Sequence, residues 1–287
     1  MKISVVIATK DRAALLDGAL ASLRAQENAP DYELIVVDNG SSDPTPAVAR
    51  KHGAAYAFVA EPNRGKARNA GIARASGELV AFVDDDVVVP PHFLAAHAQA
   101  HAQTVPLAVS GPIVNVPDAA HRPKPTKVNG SRAFFVTCNV SVRSSSLRAA
   151  GGFDEAFDLY GWEDTELGAR LRAQGVRRAF AWDAYLWHIK PPTPESLEDA
   201  LGKAIEKARM AARFVGKMPT ARVRLATGAY GPNLVRARVL NPGFLQPFYA
   251  GLASSPRVPA MLAQLARGAL LDSVYTEELD RQLGRNR

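Results

Sequence analysis

The sequence predicts an α/β protein with a mostly parallel central sheet flanked by helices, followed by a helical C-terminal extension. Short β-rich apolar runs alternate with segments of helical periodicity between residues 3 and 83, a pattern typical of strand–helix–strand units. From about residue 195 onward the pattern is helical and rich in Ala and Arg, with interruptions near Pro219, Pro232, Pro242 and Pro256. The 287 residues are enough for one large domain with an appendage.

The first part of the chain predicts four strands and three helices. The strands are expected at residues 3–8, 33–37, 56–59 and 79–83. Continuous apolar runs of this kind suit strands that are buried on both faces of a sheet. The connecting helices are expected at residues 15–23, at residues 45–52 and around Arg68 and Ile72.

The middle of the chain is less regular. We predict strands at residues 109–116 and 133–142. Residues 116–130 are rich in Pro, Lys and Asn, so we expect a mobile loop there. A helix is expected after Gly161, because Leu167 and Leu171 recur at helical spacing.

Composition excludes several classes of protein. Hydrophobic residues make up 47% and charged residues 22% of the chain, which is ordinary globular usage and excludes wholesale disorder. Cys138 is the one cysteine, so an internal disulfide and a zinc–cysteine cluster are excluded, and we expect a small buried hydrophobe within a strand. No apolar run reaches the ~18–20 residues of a membrane-spanning helix, and the run at residues 3–8 is too short for a signal peptide. We therefore expect a cytoplasmic protein, with peripheral contact at the inner face of the membrane left open.

Positive charge is concentrated in the C-terminal region. The chain has 35 Lys and Arg residues against 28 Asp and Glu residues, and between residues 203 and 238 nine basic residues accompany one acid, Glu206. These residues either form a solvated helix face or dock to an anionic membrane or a phosphate-bearing acceptor. We expect no nucleic acid partner, because the segment has no interleaved aromatic residues and no recognisable reader motif.

Polar clusters follow three of the predicted strands, at residues 9–11, 38–43 and 84–86. In parallel sheets ligands bind beyond the carboxyl ends of the strands, so the three clusters predict one shared site. Three unrelated turns that face solvent are the alternative.

The triplet Asp84, Asp85 and Asp86 is the strongest local signal. Adjacent carboxylates repel one another, so a folded protein usually places a cation or hydrogen-bond donors beside them. Asp84 and Asp86 point to the same side of an extended chain and can share one divalent ion, and oxygen ligands suit Mg²⁺ or Mn²⁺. A solvated acidic turn that caps the next helix is the alternative.

Four further residues each have two interpretations. Asp38 ends a strand, where it either binds the base or ribose of a nucleotide or caps a turn. Glu163 and Asp164 open a helix, where they either complement its dipole or supply a general base. His188 follows an apolar stretch and is either a metal ligand or a buried structural residue.

The first strand is not followed by a glycine-rich loop. This absence argues against a dinucleotide-binding fold and against P-loop chemistry.

Taken together and in their order along the chain, the sequence motifs resemble those of the family-2 glycosyltransferases. The catalytic domain of that family has the Rossmann-like A-type nucleotide-sugar fold. The resemblance covers residue 1 to about residue 190. It rests on residues 3–12, 36–43, 63–71, 82–86, 151–155 and 163–175. Ala8 departs from the family, which often has Pro at this place, and no family motif is recognised after about residue 190.

The resemblance implies an enzyme that transfers a sugar from a nucleoside diphosphate sugar to a hydroxyl group in one inverting displacement. Asp164 would be the catalytic base, and Trp162 and Glu163 would border the acceptor. The donor would be bound by Thr9, Asp38, Arg68, Asp84 and Asp85. The divalent cation, Mg²⁺ or Mn²⁺, would be held by Asp86, Asp84 and His188, and the loop at residues 116–130 would act as a lid.

The resemblance also implies the domain organisation and the partners. Residues 1–190 would form the nucleotide-sugar-binding catalytic domain, and residues 191–287 a basic, mainly helical region for acceptor, membrane or oligomer contacts. A UDP-sugar is favoured as donor, with dTDP and GDP open. The acceptor would be a glycan, lipid-linked or small-molecule hydroxyl, in glycan, glycolipid or cell-envelope polysaccharide synthesis. A non-catalytic nucleotide-sugar-binding or membrane adaptor and a sugar-nucleotide pyrophosphorylase remain as alternatives, and the oligomeric state is not predicted.

Overall fold

The computed structural model describes residues 1–102, 105–190 and 195–285. They divide into two compact units, each with its own internal contacts. The first unit is Met1–Asp158 with Glu163–Pro192, and the second is Leu159–Trp162 with Thr193–Arg287.

The described strands belong to the first unit and form a seven-stranded and a three-stranded sheet. In chain order they are β1 (Ile3–Thr9), β2 (Tyr32–Asp38), β3 (Ala55–Phe58), β4 (Leu79–Val83), β5 (Val87–Val88), β6 (Leu107–Ser110), β7 (Ile113–Val116), β8 (Asn139–Arg143), β9 (Arg177–Phe180) and β10 (Leu186–Ile189). The large sheet has the order β3-β2-β1-β4-β8-β6-β9, in which β8 is antiparallel to both neighbours and the other pairs are parallel. The small sheet has the order β5-β10-β7. The predicted mostly parallel sheet is therefore confirmed.

Helices pack on both faces of the large sheet. They are α1 (Ala13–Arg24), α2 (Thr45–Lys51), α3 (Arg64–Arg74), α4 (Phe93–Ala100), α5 (Ser144–Ala149) and α6 (Glu163–Ala173). Val5 of β1 belongs to an apolar cluster with Leu16 of α1, whereas its neighbour Val6 belongs to a cluster with Ala67 of α3 and Leu171 of α6. Successive side chains of a strand point to opposite faces, so the continuous apolar run of β1 is buried on both sides.

Two strands predicted in the middle of the chain were misplaced. Residues 109–116 do not form one strand, because the strand is interrupted at Gly111, between β6 and β7. A Cβ atom at Gly111 would lie 1.8 Å from the carbonyl oxygen of Ala184, so this close backbone approach requires glycine. The strand expected at residues 133–142 begins only at Asn139, which leaves Cys138 just before β8.

The loop at residues 116–130 has a single described helical turn, a 3₁₀ turn at Lys127–Asn129. The indole nitrogen of Trp187 donates to the carbonyl oxygen of Pro123 at 2.8 Å. This contact anchors the loop to β10, and the lid role of the loop stays a prediction.

The described secondary structure of the second unit is helical. Its helices are α7 (Leu197–Lys217), α8 (Ala221–Thr227), α9 (Gly231–Leu240), α10 (Gln246–Ser254) and α11 (Ala260–Arg285), with a 3₁₀ turn at Gly243–Leu245. The hydroxyl of Ser196 accepts a hydrogen bond from the backbone nitrogen of Asp199 and so caps α7. Arg209 of α7 and Glu278 of α11 form an ion pair at 2.8 Å. The predicted helical extension is confirmed, and no helix in the described ranges is long and apolar enough to cross a membrane.

Candidate functional site

Strand register brings the predicted polar clusters to one edge of the large sheet. Thr9 at the end of β1 lies beside Asp38 at the end of β2. Val6 of β1 pairs with Phe82 of β4, so the chain that follows β4 reaches the level of Thr9 at Asp85. The hydroxyl of Thr9 donates to Asp85 Oδ2 at 2.7 Å. The carboxyl ends of the three strands therefore meet, as the strand pattern predicts.

Asp85 is anchored within the protein. It is buried, and besides Thr9 it accepts a hydrogen bond from Arg12 Nη1 at 3.1 Å. The same Arg12 nitrogen lies 3.1 Å from Asp86 Oδ2 and so bridges the two carboxylates. Burial raises the pKa of Asp85, and the contacts with Thr9 and Arg12 offset only part of that effect. Its described contacts hold β1 against the loop after β4, and its role in donor binding stays a prediction.

Asp86 and His188 are brought together by the small sheet. His188 of β10 pairs with Val87 of β5, and the backbone nitrogen of Ile189 donates to the carbonyl oxygen of Asp86 at 2.8 Å. His188 Nε2 consequently lies 3.1 Å from Asp86 Oδ1. Among the described residues, the buried Oδ1 atom accepts no other hydrogen bond and has only this contact with His188.

The second ring nitrogen of His188 has its own partner. His188 Nδ1 lies 3.2 Å from Asn115 Oδ1, so a hydrogen on Nδ1 is donated to that amide oxygen. With Nδ1 held in this way, Nε2 can offer its lone pair to a metal ion, and without an ion a proton on Nε2 lies beside the Asp86 carboxylate. Burial acts against ionisation of Asp86, but His188 and Arg12 outweigh it and lower the pKa of Asp86.

Asp84 completes what we call the strand-end cluster, which consists of Asp84, Asp86 and His188. Asp84 and His188 are half-buried, and a carboxylate oxygen of one and a ring nitrogen of the other lie within 4.8 Å. Carboxylate oxygens with one imidazole nitrogen are a donor set that suits Mg²⁺ or Mn²⁺, and the buried Asp86 Oδ1 is an acceptor such an ion would satisfy. These donor types suit the expected divalent cation, and among the described residues the three whose ligand atoms all lie within 4.8 Å of one another are Asp84, Cys138 and His188.

Sequence reasoning missed Cys138 as a neighbour of this cluster. Its sulfur lies within the same 4.8 Å of the Asp84 and His188 ligand atoms. Val83 pairs with Asn139 across the antiparallel β4–β8 contact, which places Cys138 opposite Asp84. Burial, followed by the carboxylates of Asp84 and Asp86, raises the pKa of its thiol. A lone cysteine without a metal-ligand spacing has no local signal, so only the strand pairing shows this contact.

Asp38 is buried and both of its oxygens have partners. Oδ1 accepts from the backbone nitrogen of Ser41 at 2.7 Å, and Oδ2 accepts from the hydroxyl of Tyr56 at 2.8 Å. Burial and this carboxylate together raise the pKa of Tyr56 to about 12. Each carboxylate oxygen has a second lone pair, so the contacts leave Asp38 able to accept a ligand hydrogen bond.

A second group forms where α3 meets α6. The side chain of Asn63 caps α3 by accepting from the backbone nitrogen of Lys66, and Arg68 projects from the second turn. Arg68 Nη1 lies 3.0 Å from Glu163 Oε1, and both side chains are about nine-tenths buried. This ion pair fixes the first turn of α6, from which Asp164 also projects.

Asp164 has a strongly perturbed carboxyl group. Burial and the neighbouring charge of Glu163 raise its pKa to about 6, against the opposing effect of Arg68. Its Oδ1 atom accepts a hydrogen bond from the backbone nitrogen of Thr165 at 2.6 Å. A half-buried carboxylate with a pKa near neutrality can take up a proton from a hydroxyl group.

Trp162 lies in the second unit, unlike the two acids that follow it. Its indole nitrogen donates to the carbonyl oxygen of Lys207 at 3.0 Å, and its ring packs 6.1 Å from that of Phe214. The chain turns sharply here, since Gly161 has φ 93° and Trp162 has φ 74°. A bulky residue in the left-handed region is strained, and such strain is commonly found at functional sites.

Apart from Asp38, whose partners are Ser41 and Tyr56, the predicted site residues of the first unit fall into two groups. Thr9, Asp85 and the strand-end cluster are linked through Arg12, whereas Arg68, Glu163 and Asp164 form the other group. Within the described ranges, no hydrogen bond or ion pair joins the two groups. Arg12 and Asn115 are partners that sequence reasoning did not predict.

Comparison with protein families gives two matches. Residues 4–153, just over half of the chain, match the family described as glycosyl transferase family 2. Residues 121–190 match a second description, the N-terminal domain of galactosyltransferase.

Curated relatives cover most of the chain. Validoxylamine A glucosyltransferase of Streptomyces hygroscopicus subsp. limoneus is 30% identical over 263 residues, covering 76% of this chain and 57% of that protein. Chondroitin synthase of Escherichia coli is 26% identical over 253 residues, covering 71% of this chain and 37% of that protein. The chain thus spans 57–61% of the length of the validoxylamine A glucosyltransferases that it matches.

Solved structures share the fold. The mannosyltransferase PcManGT of Pyrobaculum calidifontis, in complex with GDP-Man and Mn²⁺, has a TM-score of 0.59 at 21% identity, covering 99% of this chain and 86% of that one. TarS 1–349 of S. aureus, in complex with UDP-GlcNAc, has a TM-score of 0.57 at 20% identity, covering 98% and 91%. Both likenesses show the A-type fold alone. The family match over half of the sequence goes further, and by it the chain belongs to glycosyl transferase family 2.

Proposed function

We propose that this chain transfers a sugar from a nucleoside diphosphate sugar, with a UDP-sugar favoured, to an acceptor hydroxyl with inversion at the anomeric carbon. The observation that supports this most directly is the position of His188 at the carboxyl edge of the sheet, 3.1 Å from Asp86 Oδ1 and within 4.8 Å of a carboxylate oxygen of Asp84. That edge is where parallel α/β sheets bind nucleotides. Membership of glycosyl transferase family 2 supports the reaction class.

The strand-end cluster would hold a divalent cation, Mg²⁺ or Mn²⁺. When bound, such an ion supplies positive charge that stabilises the diphosphate as it leaves the sugar. Asp84 and Asp86 would provide oxygen ligands and His188 Nε2 a nitrogen ligand, while Asn115 holds the imidazole ring in place. The Mn²⁺ in the PcManGT complex, whose fold this chain shares, supports this assignment.

Asp164 would act as the general base. Its carboxylate takes the proton of the acceptor hydroxyl while the acceptor oxygen forms a bond to the anomeric carbon. The bond from that carbon to the donor phosphate breaks, and its electron pair leaves with the nucleoside diphosphate. A pKa of about 6 supports the role, since the group is mostly ionised at pH 7 and still basic enough to take a proton.

Arg68 and Glu163 would position that base. Their buried ion pair ties α3 to the first turn of α6, which restricts the rotation of the backbone that bears Asp164. Glu163 is also expected to border the acceptor, together with Trp162. Arg68 is also expected to lie near the donor diphosphate, through the guanidinium nitrogens that Glu163 leaves free.

The donor would lie against the ends of β1 and β2. Asp38 would accept hydrogen bonds from the base or ribose, and Thr9 and Asp85 would support that surface. The solved complexes of PcManGT with GDP-Man and of TarS with UDP-GlcNAc support a nucleotide-sugar donor. The loop at residues 116–130 would close over the bound donor and exclude water.

The remaining assignments concern acceptor and location. Relatives named chondroitin synthase and O-antigen biosynthesis protein support a place in glycan or envelope polysaccharide synthesis. The division proposed is a catalytic domain at residues 1–190 and, at residues 191–287, a basic region for acceptor, membrane or oligomer contacts. Action in the cytoplasm, at the inner face of an anionic membrane, is consistent with the positive charge of that region.

Calorimetric titration of UDP, dTDP and GDP, with and without Mn²⁺, tests the donor site. We expect one nucleotide to bind in a Mn²⁺-dependent manner and this binding to be lost in Asp86→Ala. The same substitution at the exposed Asp31 is the matched control and should bind as the wild type does. Wild-type protein that binds none of the three nucleotides would contradict the proposal and favour a non-catalytic adaptor.

Asp164→Asn tests the chemical step. Removing the base should lower transfer by about 10²–10⁴-fold and leave nucleotide binding nearly intact. Asp183→Asn, the same change at an exposed position, is the control. Equal losses of binding and of transfer in Asp164→Asn would contradict the role of general base.

A further inference from the structure

A thiol lies beside the carboxylate and imidazole donors of the strand-end cluster. A carboxylate oxygen of Asp84, the sulfur of Cys138 and a ring nitrogen of His188 all lie within 4.8 Å of one another. Three separate segments supply them: the end of β4, the residue before β8, and β10. Strand pairing on both sides of Asp84 fixes their approach, so the cluster is part of the folded sheet and not a chance surface contact.

This set of donors is softer than the Asp84–Asp86–His188 set, because the sulfur of Cys138 replaces a carboxylate oxygen of Asp86. Carboxylate oxygens prefer Mg²⁺ and Mn²⁺, whereas a thiolate with an imidazole prefers cations such as Zn²⁺ and Cd²⁺. Two ligands bound to one Zn²⁺ at about 2.0–2.3 Å lie within about 4.6 Å of each other. The observed spacing therefore needs only small side-chain movements to place all three donors on one ion.

We propose that Asp84, Cys138 and His188 form a binding site for a thiophilic divalent cation, which competes with Mg²⁺ or Mn²⁺ for Asp84 and His188. On binding, the S–H bond of Cys138 breaks, its proton passes to solvent and a sulfur–metal bond forms, with no change in oxidation state. Three protein donors leave one tetrahedral position open. The inference shares two residues with the proposed function, but it concerns a different class of cation and does not require sugar transfer.

Titration of metal-free protein with Cd²⁺ tests this site, followed by ultraviolet difference spectroscopy. We expect one equivalent of Cd²⁺ to produce a sulfur-to-metal charge-transfer band, and Mn²⁺ in excess to reduce it. The band should be lost in Cys138→Ser and in Cys138→Ala, the second variant covering the case that a buried serine does not fold. The ratio of Cd²⁺ to Mn²⁺ affinity should fall at least about tenfold in the folded variant.

Variants of the other two donors separate a built site from a lone reactive thiol. Asp84→Asn and His188→Ala should each weaken Cd²⁺ binding by about tenfold or more, with Asp183→Asn as the matched control. No charge-transfer band in the wild type, or wild-type Cd²⁺ affinity in both donor variants, would overturn the proposal. If Cd²⁺ binds as expected while UDP, dTDP and GDP all fail to bind, only the proposed function fails.

Discussion

The first unit contains two groups of buried or half-buried polar side chains that differ in charge, and each has one buried atom without a hydrogen-bond partner among the described residues. The strand-end cluster combines two carboxylates with one imidazole, and its atom of this kind is Asp86 Oδ1. The other set of side chains, which we call the histidine network, is separate from the Arg68–Glu163–Asp164 group and consists of His97, His101, Asn139 and Ser141. Its members are buried, and His101 Nδ1 is its one buried side-chain atom without a hydrogen-bond partner in the described ranges.

Neutral tautomers account for the contacts of the histidine network. The hydroxyl of Ser141 lies 2.8 Å from His97 Nδ1 and 2.9 Å from His101 Nε2, so it can donate to the first and accept from the second. His97 then donates through Nε2 to Asn139 Oδ1 at 3.0 Å. The amide nitrogen of Asn139 donates to the carbonyl oxygens of Pro112 and Ala184. This network joins α4 to β8 and to the chain beside β6 and β10.

The difference teaches how to separate a scaffold from a binding site among buried polar groups. Buried donors and acceptors that satisfy one another stabilise a single packing arrangement. In the strand-end cluster, by contrast, the negative charge of two carboxylates and the buried Asp86 Oδ1 atom remain available to a cation. The two groups are adjacent along β8, since Cys138 faces one and Asn139 belongs to the other.

The largest effect that would sharpen this comparison is expected from Asp86→Ala. Losing a ligand of the proposed cation should lower the proposed sugar transfer at least about 100-fold, because such a cation would supply several kcal/mol of charge stabilisation. The free energy of unfolding without divalent cations should change by about 1 kcal/mol or less. Initial rates and urea denaturation measure the two effects. A loss of stability as large as that of a core substitution would show that Asp86 stabilises the fold, as the histidine network is expected to do.

His97→Ala should show the opposite behaviour. It leaves Asn139 Oδ1 and the Ser141 hydroxyl short of a partner in a buried space, which should cost about 2–4 kcal/mol of unfolding free energy. Nucleotide affinity, measured calorimetrically well below the melting temperature, should stay within about threefold of the wild type. The exposed His121 provides the control substitution. Loss of nucleotide binding by fully folded His97→Ala would assign the network to the site.

The pH dependence of stability is the next effect in size. Burial lowers the pKa values of His97 and His101 to about 4, so below pH 6.5 the unfolded chain binds protons that the folded chain does not. Their stabilisation is complete above pH 6.5 and is lost as the pH falls towards 4. Between pH 6.5 and pH 4, the free energy of unfolding should fall by about 1–3 kcal/mol less in His97→Gln than in the wild type. Urea denaturation at several pH values measures this difference. Parallel curves for the two proteins would contradict this account.

The smallest effect is expected at the proposed base. The pKa of Asp164 is raised to about 6, so its ionised form destabilises the fold above pH 6 and its protonated form carries no such cost below pH 4. Asp164→Asn should therefore gain about 1 kcal/mol of stability at pH 8 and little at pH 4. Denaturation at both pH values, with Asp183→Asn alongside, measures it. A pH-independent change would point to altered packing instead.

Prediction from the sequence was accurate where the signal is local. The four strands and three helices up to Val83 were predicted closely, because each has its own apolar run or helical period. Residues 109–116 and 133–142 were misplaced because the strands there are short and interrupted. The break at Gly111 depends on its close approach to Ala184, which is a tertiary contact.

The sequence by itself determined the sheet, the family and the residues at the strand ends. Alternation of apolar runs specifies a parallel sheet, and such a sheet places Asp38 and Asp84 at its carboxyl edge. Only the tertiary structure decided that Cys138 faces Asp84, that Arg12 bridges Asp85 and Asp86, and that Trp162 belongs to the second unit. Periodicity reports which face of an element is buried, whereas these contacts depend on which distant segments pair, and no local pattern contains that information.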